Sequence, residues 1–182
     1  IQYADVLPTL LHALGEKPRS GEFSGESFLL VLLGKSNNHR DYAYFMHNNV
    51  PEGPPYPIRS VHDGQYHYVR NLTPKRLYME KHLMGRMPLN QYWPSWMFDA
   101  AEDTNTYRLI HRYLSRPAEE LYQVDEDPYE MNNLADDARY QDIKSRLSGE
   151  LDGWMKQQGD PGIPIDTWQE LENARNGKHF KR

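Results

Sequence analysis

The chain has 182 residues, 38% hydrophobic and 26% charged, which suits one ordinary core and argues against disorder along most of its length. A net charge of -5 gives no general attraction for nucleic acid or an anionic membrane surface, and leaves only local clusters such as Lys75-Arg76 for anions. The absence of cysteine excludes disulfides, thiolate metal ligands and a cysteine nucleophile, and no apolar stretch approaches the ~20 residues of a membrane span.

The opening, Ile1-Gln-Tyr-Ala-Asp5, has the form of neither a signal peptide nor an initiator-Met start and reads as a cut inside a longer protein. Asp5 to Gly15 then has an acid at the N-cap, a proline in the first turn and a glycine stop, which predict a short helix. Leu7, Leu10, Leu11 and Leu14 share one face of it. A second short helix is expected over Ser27 to Leu33, ended by Gly34.

From Asp41 the period becomes two, with Tyr42, Tyr44 and Met46 alternating with Ala43, Phe45 and His47 as in a strand. After the Pro/Gly-rich loop Pro51-Glu-Gly-Pro-Pro55, residues Ile58 to Arg70 read as a hairpin turning at Asp63-Gly64, the residues of a two-residue type I′ turn. A further strand, Glu120 to Val124, ends at Asp125-Glu-Asp-Pro128. The last regular element expected is a helix from about Asp137 to Gln158, with Ile143, Leu147, Leu151 and Trp154 on one face and Gly159 as its stop.

These elements make an α+β layer: a small antiparallel sheet of three or four strands packed against a C-terminal helix. Residues 72–118 hold Trp93, Trp96, Phe98 and a helix around Thr106 to Leu114, and read as an insertion draped over one end. Beyond Asp160 the prolines and polar residues predict an extended tail over 161–182.

Three stretches, in this order, resemble the end of a formylglycine-dependent sulfatase. They are Asp5-Val-Leu-Pro-Thr-Leu-Leu11, Tyr56-Pro-Ile-Arg-Ser-Val-His-Asp-Gly-Gln-Tyr-His-Tyr-Val-Arg-Asn71 and Glu120-Leu-Tyr-Gln-Val-Asp-Glu-Asp-Pro-Tyr-Glu-Met-Asn-Asn-Leu134. The placing of the insertion is similar to that of the sulfamidase (N-sulfoglucosamine sulfohydrolase-like) branch of the alkaline-phosphatase-like superfamily. The resemblance implies that residues 1–40 are a remnant of an N-terminal α/β sulfatase domain and 41–160 an α+β subdomain bordering the substrate pocket. It also implies a parent enzyme that uses a formylglycine and calcium to hydrolyse sulfate esters or sulfamates on a sulfated saccharide, in a periplasmic, secreted or lysosomal location. The modification motif, Cys or Ser followed by x-Pro-x-Arg, has no match in this chain, and Ser115-Arg-Pro117 does not complete it. No catalytic residue, metal ligand or cofactor site is therefore assigned here, and the N-terminal domain of the same protein is the implied partner. A related phosphodiesterase or phosphonate hydrolase, or a non-catalytic carbohydrate-binding module, is the alternative reading.

Candidate substrate-binding residues flank the loop between the first strand and the hairpin. His47 ends a strand just before it, where an imidazole projects toward a sulfate or sugar hydroxyl; a half-exposed strand-end histidine is the plain alternative. Arg59 offers the paired planar donors suited to sulfate or carboxylate, or else locks the loop through carbonyls and an acid. Tyr56 stacks on a sugar ring or simply packs. The aromatic insertion either walls a carbohydrate subsite or forms a satellite core, and Lys75, Arg76, Lys81 and Arg86 around it suit an anionic polysaccharide or a solvated surface. Asp125, Asp127 and Glu130 read as turn and cap residues, since the glycine and distal glutamate of a calcium loop are missing. Asn71-Leu-Thr73 has the pattern of a glycosylation acceptor.

Overall fold

The computed structural model describes residues 1–16, 19, 21–84 and 92–177. Its centre is one antiparallel sheet in the order β1-β2-β3-β4, formed by β1 (Ala43–His47), β2 (Ile58–His62), β3 (Tyr66–Asn71) and β4 (Glu119–Gln123). Because each neighbour in the sheet is the next strand in sequence, the sheet is a meander. All four strands fall within a residue or so of the alternating segments that predict them.

The hairpin turns one residue later than Asp63-Gly64 indicates. Asp63 and Tyr66 close the turn through Asp63 N to Tyr66 O at 3.1 Å, which leaves Gly64 and Gln65 as its central residues. Only Gly64 has a positive φ there, +97°, the pattern of a type II′ turn with glycine first. The Asp63 carboxylate accepts from the amides of Gln65 and Tyr66, so it organises the turn from its flank.

One face of the sheet carries the core. The register aligns Tyr44, Val61, Tyr68 and Leu121 in a row across the strands. Against this row lies α6 (Gln141–Gln158), whose Leu147 and Leu151 are fully buried and whose Ile143 and Trp154 flank them. Trp154 stacks on Tyr44 at 5.0 Å, and the Tyr44 hydroxyl donates to Glu150 at 2.5 Å. The helix ends at Gly159 in the left-handed conformation, φ 64°, and Asp137 caps the 3-10 turn that leads into it.

Residues before β1 form α1 (Val6–Ala13) and α2 (Leu29–Leu32). Asp5 precedes α1 but does not cap it. Its buried carboxylate instead accepts from the amides of Gln2 at 2.7 Å and Glu26 at 3.0 Å, and contacts His39 Nε2 at 3.0 Å and the Arg40 guanidinium. Burial pushes this carboxyl up, but the two amides, His39 and Arg40 together hold it below the ordinary range. Gly25 is needed beside it, because a Cβ there would sit 2.1 Å from the Ala4 carbonyl oxygen. Leu7 and Leu10 of α1, and Leu14 just after it, remain exposed.

The insertion between β3 and β4 holds α3 (Lys81–Met84), α4 (Tyr92–Asp99) and α5 (Thr104–Leu114), the last at the expected place and capped by Asp103. An extended tail over 161–182 does not match the described residues. After α6 the chain makes a 3-10 turn at Ile163–Ile165 and a helix α7 (Trp168–Arg175) capped by Thr167, burying Asp166 and Leu171. Tertiary partners override the local preference of Pro161 and Pro164, because Asp160 and Asp166 both find buried donors.

Candidate functional site

The loop from 48 to 57, between β1 and β2, is held from several sides. Asn49 is 1% exposed and its side-chain amide donates to Pro54 O at 2.6 Å and Met79 O at 2.7 Å. A Cβ on Gly53 would stand 2.7 Å from that amide, so the packing there leaves room for glycine only. The loop's own prolines remove donors; the Gly53 amide donates within the loop to Asn49 O at 2.8 Å, and the amides of Asn49, Val50 and Tyr56 donate to the Asp166 carboxylate from outside it.

Strand pleating separates two of the three residues that sequence places around this loop. Arg59 lies on the α6 face, in line with Met46 and Arg70, whereas His47 pairs with Ile58 on the opposite face. Arg59 is fully buried, and its donors are used within the fold. It makes a two-point pair with Asp160, and donates to His47 O at 3.1 Å, Asn48 Oδ1 at 3.0 Å and Ile58 O at 2.9 Å. The guanidinium in turn holds the Asp160 carboxyl below its ordinary range, against the opposing effect of burial.

His47 and Tyr56 come together on Tyr78. The His47 ring meets Tyr78 edge-on at 5.8 Å, and the Tyr56 ring meets it at 5.2 Å. Tyr56 is fully buried, whereas His47 is half-buried. His47 Nε2 and the Tyr56 hydroxyl are buried atoms without a hydrogen-bond partner among the described residues. Burial depresses the His47 imidazole below the usual 6.5; the nearby Asp166 carboxylate acts in the opposite direction and does not reverse this.

Beyond Tyr78 a run of ring contacts leads away through Tyr113 at 5.5 Å and Trp93 at 5.6 Å to Trp96 at 6.1 Å. It borders an open cleft of about 910 Å³ between the insertion, β4 and the 129–133 segment, lined by Trp93, Trp96, Tyr113, Arg116 and Tyr122 among others. Arg116 stands over the Tyr78 ring at 5.8 Å and pairs with Glu120 at 3.2 Å. Sequence reading missed Tyr78, Asp160 and Asp166. Tyr78 lies in a stretch without periodicity, and the two acids sit in a segment whose prolines point to an extended tail.

Phe98 is 80% exposed, so it does not wall the cleft from within. Lys75 and Arg76 are exposed, and the Lys81 side chain and Arg86 lie outside the described residues. Asn71 is 2% exposed and its amide donates to Pro117 O at 2.7 Å and Glu120 at 2.6 Å, so its nitrogen is unavailable for glycosylation in the folded chain. Asp127 accepts from the amide of Asn132 at 2.7 Å, a local fastener, and Glu130 contacts His67 Nδ1 at 2.6 Å, tying its segment to β3. Among the described residues no group of three or more His, Asp or Glu side chains converges as a cation site, and no helix is long and apolar enough to cross a membrane.

The depressed imidazole has a consequence for stability. A histidine that resists protonation in the fold contributes stability fully present above its unfolded value, near 6.5, and lost as pH falls through its lower folded value. The chain is therefore expected to melt at a lower temperature at about pH 5.5 than at about pH 7.5, and His47→Asn to reduce that difference. His62, also depressed by burial and by His67, keeps a remainder. Thermal unfolding of both proteins at the two pH values checks this, and an unchanged difference rules out His47 as a contributor.

Residues 98–157 match the family described as N-sulphoglucosamine sulphohydrolase, C-terminal. The chain is 33% identical over 175 residues to an Ulvan-active sulfatase of Formosa agariphila, covering 92% of this chain and 32% of that protein. It is 29% identical over 116 residues to the human N-sulphoglucosamine sulphohydrolase, covering 59% of this chain and 21% of that protein. The chain thus spans about a third or less of the length of these relatives. Among solved structures, a 2-O GAG sulfatase superposes on 86% of this chain and 25% of its own, with a TM-score of 0.56 at 22% identity. Another, solved with its substrate D-glucosamine-2-N,6-O-disulfate, covers 86% of this chain and 24% of its own, with a TM-score of 0.54 at 19% identity. At such identities the structural likeness establishes the fold, and the sequence matches carry the kinship. By sequence, and with a fold that agrees, this chain is kin to the C-terminal portion of sulfatases, the N-sulphoglucosamine sulphohydrolases among them.

Proposed function

We propose that the complete protein hydrolyses sulfate esters or sulfamates on a saccharide, and that this portion forms part of the rim of its substrate pocket without supplying the reacting groups. Formylglycine and calcium, which sulfatases generally use, belong in this reading to the upstream domain. The contribution of this portion is positional: a stiff loop and a half-buried imidazole at its edge.

The observation that carries the rim assignment is His47 Nε2, a buried ring nitrogen without a hydrogen-bond partner among the described residues, at the edge of a loop whose Asn49 side-chain amide is used internally. A neutral imidazole there accepts from a sugar hydroxyl or donates to a sulfate oxygen, according to its tautomer. Tyr56 and Arg59 serve the same rim from beneath. Tyr56 supports the ring of Tyr78 on which His47 rests, and Arg59 ties the strand end to Asp160.

In the full-length enzyme His47→Ala is expected to lower kcat/KM for a sulfated disaccharide by about tenfold, roughly 1.4 kcal/mol of transition-state stabilisation, with a smaller change in folding stability. Steady-state kinetics beside thermal unfolding measures both. A loss of stability with unchanged kcat/KM would return His47 to a purely structural role.

A further inference from the structure

Asp166 is fully buried, and its carboxylate accepts three backbone N–H bonds. Oδ1 accepts from Val50 at 2.9 Å, and Oδ2 accepts from Asn49 at 3.0 Å and from Tyr56 at 2.6 Å. These amides come from both ends of the 48–57 loop, at least 110 residues away in sequence. A charged acceptor receiving several amides makes stronger bonds than a neutral one would, and three convergent N–H dipoles offset the burial of the charge. The segment that carries it is itself fixed. Asp166 N closes a turn on Ile163 O, Leu171 is buried, and Asp160 engages Arg59 a few residues upstream.

We infer that Asp166 is a positioning residue for the substrate rim, a buried carboxylate that clamps the β1–β2 loop and thereby sets where His47 and Tyr56 stand. The inference rests on the proposed rim function of His47. The two are joined by geometry: Asn49, whose amide is clamped, lies two residues after His47, and Tyr56, also clamped, shares Tyr78 with it. The segment after α6 therefore acts on the rim through backbone amides, which the identity of the loop's side chains does not reveal.

Amide hydrogen exchange on the full-length protein reads the clamp directly. In the wild type the amides of Asn49, Val50 and Tyr56 are expected to exchange about 100-fold or more slowly than free amides. Asp166→Asn keeps the shape but sets an N–H donor against one of them, and is expected to speed these three by about tenfold while the central strand amides stay protected. Thr167→Ala, which removes only the cap of α7, is expected to leave the three protected. Free exchange of the three amides in the wild type overturns the clamp, even if the Asp166 variant fails to fold. So does equal speeding by both substitutions.

Kinetics of the full-length enzyme separate the inference from the reading beneath it. Asp166→Asn is expected to raise KM for a sulfated disaccharide by about tenfold with kcat changed less than about twofold, the pattern of lost binding geometry. If His47→Ala lowers kcat/KM while Asp166→Asn leaves KM unchanged, the positioning inference fails and the rim reading stands. If neither substitution alters the kinetics, both fall.

Discussion

Replacing Arg59 by alanine is expected to remove about 3–5 kcal/mol of folding stability, the largest effect of any single substitution considered for this chain. The guanidinium is fully buried, so its loss strands the Asp160 carboxylate and leaves the carbonyls of His47 and Ile58 without this donor. An uncompensated buried charge is the dominant part of that loss, larger than the net worth of the pair itself. Denaturant unfolding of the chain, read as a shift in midpoint at constant slope, measures it. The double variant Arg59→Met with Asp160→Leu is expected to be less destabilised than the sum of the two single changes, because it removes both charges together. A loss under about 1 kcal/mol for Arg59→Ala would mean that Arg59 is solvated rather than buried.

Leu147→Ala is expected to cost about 2–5 kcal/mol. Leu147 is fully buried where α6 meets Val61, Tyr68 and Leu121, so truncation leaves a void that the sheet and the helix are too well packed to close. Lys156→Ala on the exposed side of the same helix is expected to change stability by less than about 0.5 kcal/mol. Thermal unfolding of the two variants side by side tests this, and similar losses would place the core elsewhere. Together with Arg59, this predicts that the sheet and α6 unfold as one unit, since the pair to Asp160 joins β2 to the end of that helix.

Several functional features follow from contacts between residues far apart in the chain. Arg59 resembles a substrate-binding arginine in the local sequence Tyr56-Pro-Ile-Arg, and its guanidinium has the right donors. Only the arrival of Asp160 beneath β2 decides that these donors are spent inside the fold. His47 and Arg59 are near neighbours around the loop, yet the pleat sends their side chains to opposite faces of the sheet. Tyr78, with no periodic pattern around it, becomes the ring on which both His47 and Tyr56 rest.

What the sequence by itself determined is local and periodic. Alternation marked β1 to β4, the spacing of Ile143, Leu147, Leu151 and Trp154 marked α6, and Gly159 marked its end, because backbone preference and one-sided burial act over a few residues. The order of three motifs was enough to reach the sulfatase family. Tertiary structure decided the rest: the turn at Gly64-Gln65, the helix over Trp168–Arg175 where prolines favour an extended run, and the Asp166 clamp on the β1–β2 loop. The clamp draws its donors from at least 110 residues away, which no local pattern records, whereas the turn and α7 use short-range bonds from Asp63 and Thr167 that the strand register and the burial of Leu171 select.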